Sequence, residues 1–174
     1  MTTNKLVIFF LTCLITTTAT WASEGIDGVL TVLKADDLVI VQAGEEIYRR
    51  NCAACHGEQL QGQANWRERD AEGYLLAPPH DASGHTWHHS DDLLFEITKY
   101  GPGKVVNDPD YKTRMPTYES ILSDDDIIAV LSFIKNTWSE EEREWQEKTN
   151  GGSKKSFKTL NNNKPTLLDK LLGN

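Results

Sequence analysis

Two cysteines three residues apart, with a histidine directly after the second, constrain this chain more than any other feature: Cys52-Ala53-Ala54-Cys55-His56. On a helical turn that spacing presents both thiols to one side, where they can add to the two vinyl groups on one edge of a haem. The next residue then falls beneath the iron as its proximal ligand, so the order of the three side chains matters as much as their spacing. Other readings of the pair fail on context. A disulfide is the ordinary fate of two cysteines in an exported chain, but it makes no use of the histidine. Structural zinc wants four ligands, usually from two such pairs, and the remaining cysteine is the lone Cys13. A thioredoxin-like redox pair belongs in a βαβ setting, whereas the flanking residues read as helix. The pattern occurs once, which predicts one covalently attached haem c.

The beginning of the chain bears on what the iron's other side can receive. Lys5, the apolar run from Leu6 to Ile15 and the small-x-small end at Thr20-Trp21-Ala22 predict a signal peptide over 1–22, cleaved before Ser23. The run is about half the ~20 apolar residues that span a bilayer, and no later segment approaches that length. Cys13 is then filler within the leader. The sequence holds two methionines, and Met1 leaves with the leader. Met115, in Thr113-Arg114-Met115-Pro116, is therefore the one thioether left to serve as second axial ligand. Its polar neighbours set it apart from the methionines that fill cores. A net charge of −8 excludes a nucleic-acid partner on general grounds, since phosphates demand a surplus of Lys and Arg.

Helical periodicity frames the motif. Asp36 or Asp37 caps a helix predicted to run to about Ala54, with Val41, Gly44, Tyr48, Cys52 and Cys55 on one face. Gly44 costs helix propensity, so its return is close approach by another helix. A second helix follows Ser90, with Asp91 and Asp92 at its positive end and Gly101-Pro102 as its stop. A third starts at Ser123; Ile127, Ile128, Val130, Leu131, Phe133, Ile134 and Trp138 make it the candidate to cross the first at Gly44. The expected fold is mostly α, with crossing N- and C-terminal helices around one haem.

Several of these pieces together resemble a class I cytochrome c domain, and in detail the bacterial cytochrome c family of mono- and dihaem variants. They are Gly44-x-x-x-Tyr48-x-x-x-Cys52, Cys55-His56-Gly57, Ala77-Pro78-Pro79, Gly84-His85-Thr86-Trp87-His88-His89, Met115-Pro116, and Ile127 through Trp138. The resemblance spans residues 37–138. It implies thioether anchors at Cys52 and Cys55 and axial ligands at His56 and Met115. It also implies that the carbonyl of Pro78 (or Pro79) accepts a hydrogen bond from the His56 ring, and that Trp87 and Tyr111 approach the haem edge or a propionate. His80 departs from the pattern, because many relatives place leucine there.

Outside that domain the sequence is less informative. Residues 23–36 carry aliphatics without an assignable role, 139–150 predict a charged helical extension, and 151–174 a flexible tail opening with Gly151-Gly152-Ser153. Leu167, Leu168, Leu171 and Leu172 would share one face of a last short helix. The leading functional reading is an exported, periplasmic electron carrier, not an enzyme, exchanging electrons with redox partner proteins by outer-sphere transfer. Two rivals follow from particular residues. A labile Met115 would open the iron to a gas or peroxide, and the histidine-rich stretch His80–His89 would suit a copper-handling module. Service as an electron-accepting subunit of a larger oxidoreductase is a variant of the leading reading.

Overall fold

A computed structural model describes residues 31–162. The expected leader over 1–22 and the leucine patch at 167–172 lie outside the described residues.

Helix α1 (Leu38–Asn51) begins where the Asp37 carboxylate accepts hydrogen bonds from the amides of Val39 and Ile40, at 3.1 and 3.3 Å. Arg49 and Arg50 in its last turn suit the negative helix end. The chain kinks at Cys52 and resumes as one further turn, α2 (Ala53–His56), which Gly57 ends at φ +83°. The predicted single helix is thus two, with the haem motif lying across the joint. A one-turn 3-10 segment (Thr86–His88) precedes α3 (Asp91–Tyr100), whose N-cap Ser90 accepts from the Leu93 amide at 3.3 Å. Gly101 closes α3 as expected, but Pro102 then opens the short α4 (Pro102–Val105). A proline at the first helical position has no amide to leave unpaired. Helix α5 (Asp124–Asn136) starts in a reciprocal capping box between Ser123 and Asp126.

Helices α1 and α5 cross at Gly44. A Cβ there would overlap the Ala129 carbonyl and stand 2.9 Å from Phe133 Cβ, so only glycine lets the backbones meet at this distance. Tyr48, Ile127, Val130, Leu131 and Ile134 form the core around the crossing, and Ile127 has no exposed surface. Burying one such side chain contributes about 1.5–3 kcal/mol. Among the described residues there are no strands. Two isolated bridges, Arg69 with Leu75 and Leu75 with Thr113, tie the long loops together.

Residues 31–36 pack onto this core. The Leu33 amide donates to Asp91 Oδ2 (3.1 Å), the Lys34 amide to Ser132 Oγ (2.9 Å), and Asn136 Nδ2 to the Ala35 carbonyl (2.9 Å). Helix α6 (Glu140–Asn162) closes the other side. It runs on through Gly151-Gly152-Ser153, where a linker had been expected to begin at 151, and nothing lies within 4 Å of a Cβ built at either glycine. Its first half is well anchored: Gln146, fully buried, donates to the His89 carbonyl at 3.2 Å. Asn150 Oδ1 accepts from the Asp91 amide at 2.8 Å.

Candidate functional site

One cavity of about 880 Å³ opens among these elements, within the range of small-molecule and cofactor sites. Cys52, Cys55 and His56 enter it from the α1–α2 joint, Met115 and Pro116 from the segment before α5. Leu94 and Ile97 of α3 and Val130, Leu131 and Ile134 of α5 make its apolar lining. Pro78 and Tyr111 line it too, so six of the seven residues singled out from sequence converge here.

Trp87 is placed differently from the other six. It is not among the lining residues; its ring lies edge-on to His88 and to Trp145 of α6. The 3-10 turn explains why. Consecutive residues of so tight a turn face different directions, and here Thr86 and the flanking His85 and His89 take the cavity side.

His56 is buried, and its Nδ1 lies 2.8 Å from the Pro78 carbonyl oxygen. A carbonyl only accepts, so Nδ1 carries the proton and Nε2 keeps its lone pair. Burial lowers the pKa of His56, and the Pro78 bond opposes this only partly, so the ring is held neutral. Of the two candidate carbonyls it is Pro78 that meets His56, since Pro79 accepts from the Thr86 hydroxyl at 3.3 Å. Thr86 Oγ1 in turn stands 3.0 Å from His80 Nδ1.

His80 stacks on His56, with ring centroids 4.1 Å apart and planes 24° from parallel. Burial drives its pKa well down, helped by the neighbouring His56, so two neutral imidazoles lie face to face. The His80 carbonyl accepts from Trp138 Nε1 at 2.8 Å, which pins the position from α5's far end. Where the resemblance implied leucine, the wall therefore carries an aromatic ring with its polar atom bonded inward.

Cys52 and Cys55 are not joined by a disulfide; Cys52 is half-buried and Cys55 exposed. Burial, with Cys55 adding to it, raises the Cys52 pKa to about 11. The Met115 segment is fastened at both ends. Arg114 bonds Asp70 at 2.9 Å and also Glu72, and Tyr118 donates to the Asn51 carbonyl at 2.7 Å. Tyr118 went unremarked in the sequence; its place three residues after Met115 was the available signal. The histidines of 80–89 divide: His80 faces His56, His85 stacks on Trp66 and meets His89 edge-on at 5.2 Å, and His88 lies against Trp87 and Trp145. Among the described residues no group of three His, Cys, Asp or Glu side chains could hold a metal ion.

A family model described as "Cytochrome c" matches residues 41–138, more than half of the chain. The chain belongs to the cytochrome c family. Over 103 residues it is 32% identical to cytochrome c2 of Rhodoblastus acidophilus, covering 53% of this chain and 91% of that protein. No solved structure gives a significant match. Cytochromes c bind covalently attached haem c and carry electrons, and this cytochrome c has the attachment sequence once. The residues present fit the group: two thiols, an imidazole with a bare Nε2 and a thioether line one largely apolar cavity. Among the described residues no helix is long and apolar enough to cross a membrane.

Proposed function

We propose that the chain is an exported monohaem cytochrome c that passes single electrons between redox partner proteins outside the cytoplasm, most directly in a periplasm. The haem supplies a one-electron ferrous–ferric couple. Cys52 and Cys55 would hold it through thioethers, His56 Nε2 and Met115 Sδ would be its iron ligands, and Tyr111 would help to wall its cavity. Pro78 fixes the His56 ring and raises its basicity by accepting the Nδ1 proton, the usual outer partner of a ligating histidine. The observation that carries this reading is that single hydrogen bond, which leaves a neutral imidazole with its free nitrogen in the same cavity as both thiols and Met115.

With His56 and Met115 both kept as ligands in each oxidation state, reorganisation would stay small and exchange would be outer-sphere. The exposed Cys55 supports exchange at the thioether edge. The leader expected from the sequence over 1–22 and the likeness to a cytochrome c2 support export. With two ligands supplied by the chain, a substrate would have nowhere to bind at the iron, which favours a carrier over a haem enzyme.

Met115→Ala tests the axial assignment in the holoprotein. The parent is expected to show the long-wavelength sulfur-to-iron band in magnetic circular dichroism of its ferric form and to resist carbon monoxide when ferrous. The variant should lose the band, bind carbon monoxide readily and have a lower reduction potential, because the thioether favours ferrous iron. A parent that lacks the band contradicts Met115 as the ligand in favour of a histidine, and one that binds carbon monoxide at neutral pH refutes the carrier reading in favour of an open iron.

A further inference from the structure

The charge of the chain reverses within one helix. Residues 23–150 hold twelve Lys and Arg against twenty-five Asp and Glu, a net −13, whereas 151–174 hold five lysines against one aspartate, a net +4. The boundary falls at Gly151, inside α6 (Glu140–Asn162). Ahead of it Glu140, Glu141 and Glu144 are exposed. Behind it come Lys154, Lys155 and Lys158, with no acidic residue between Glu147 and Asn162. The matched family region ends at 138, so this helix is the chain's own addition to the domain.

The same boundary ends the packing. Asn150 is buried and bonds the start of α3, the last of α6's described side chains to do so. Gly151 and Gly152 are exposed, with nothing within 4 Å of a Cβ built on either. The helix backbone still continues through Asn162, twelve residues further and about 18 Å at 1.5 Å per residue. A helical piece this short is marginal in water by itself, and the glycine pair weakens it further. Its sequence says what would support it. At helical spacing Phe157 and Leu160 fall on one face, and Lys154, Lys155 and Lys158 on the other. After Pro165 come Leu167, Leu168, Leu171 and Leu172, three and four apart, with Lys164 and Lys170. Lysines beside a stripe of leucine and phenylalanine match an anionic bilayer surface. The apolar face enters the boundary between headgroups and acyl chains, and the ammonium groups meet lipid phosphates. Nucleic acid would use the lysines and leave the leucines exposed. A segment returning to the acidic body would turn at the glycine pair, where the backbone stays helical instead.

We propose that the C-terminal half of α6, together with the residues after it, binds the surface of an anionic lipid bilayer and tethers the domain there. The acidic body is repelled by the same surface. The unpacked helix is longer than the Debye length of about 8 Å at physiological salt, so the tether holds the body off the lipid and its cavity stays open to partners.

The test uses the mature holoprotein with vesicles of phosphatidylcholine, with and without phosphatidylglycerol, and reads binding by flotation at low salt. The parent should float with the phosphatidylglycerol vesicles, stay in solution with phosphatidylcholine alone, and be released as salt rises. A chain ended after Gly152 keeps every described anchor of α6 and should stay in solution, with its haem spectrum and thermal unfolding showing that the body is intact. Lys158→Gln should weaken binding about fivefold. Leu168→Ser with Leu171→Ser should weaken it by about tenfold or more. A parent that does not float with the anionic vesicles overturns the proposal, as does equal uptake by phosphatidylcholine alone or a shortened chain that floats as the parent does. If the parent stays in solution and carbodiimide joins Lys164 or Lys170 to Glu140, Glu141 or Glu144, the segment's partner is the acidic body and the lipid proposal fails. Flotation follows the polypeptide and not its colour, so failure here and failure of the haem reading are distinct.

Discussion

Gly44→Ala sets two physical effects of opposite sign against each other. In an exposed helix interior the substitution stabilises by up to about 1 kcal/mol, because alanine loses less backbone freedom than glycine. At the α1–α5 crossing the new Cβ would overlap the Ala129 carbonyl oxygen and carbon and crowd Phe133 Cβ at 2.9 Å. Two of those three atoms are backbone, so no rotamer change relieves the overlap and the helices must part. Overpacking of this kind costs about 1–3 kcal/mol, and a backbone clash belongs at the upper end. The net expectation is destabilisation of about 2 kcal/mol. For a domain of this size that lowers Tm by roughly 8–16 °C. Because Val130, Leu131 and Ile134 of α5 also line the cavity, the strain should reach the haem as well. Thermal and guanidinium unfolding of the ferric holoprotein, followed by far-ultraviolet circular dichroism and haem absorbance together, measures this. A variant as stable as the parent, or more stable, would refute the close crossing, since propensity alone would then govern the site.

Two further substitutions probe the supports of the site. Asn150→Leu removes the acceptor for the buried Asp91 amide and should cost about 1–3 kcal/mol in chemical denaturation, with faster hydrogen exchange at the start of α3. Unchanged exchange there would mean that α6 does not hold α3. Trp138→Phe keeps most of the apolar volume but deletes the 2.8 Å bond to the His80 carbonyl, for a loss of about 1 kcal/mol or more. It should also broaden the His80 and His56 resonances, and sharp, unshifted signals would count against the pinning role.

Local chemistry was legible in the sequence wherever neighbours carry it. Asp37, Ser90 and Ser123 cap helices because each side chain reaches amides two or three residues away. Gly44 signalled a crossing because a glycine within an apolar stripe has no other use there. What failed to show was long-range or depended on context. Residues 31–36 have no period, and their anchors Asp91, Ser132 and Asn136 lie 58 to 101 positions away. The pair Gly151-Gly152 reads as a break, yet α6 continues through it. The motif around Trp87 matches as a string, which does not say where its ring points. Only the direction of a one-turn helix decides which of its residues face inward. The His85–Trp66–Arg67 stack joins residues some twenty apart across a loop with no regular structure, so no pattern could have revealed it.

Covalent capture of one porphyrin by the paired thiols is the claim on which every other assignment depends. Chain secreted from a host competent for cytochrome maturation should give one haem per polypeptide in the pyridine haemochrome assay. Mass spectrometry should find the added mass on the peptide holding Cys52, Cys55 and His56. Colourless protein, with those two sulfurs reduced or bridged to each other, would contradict the account.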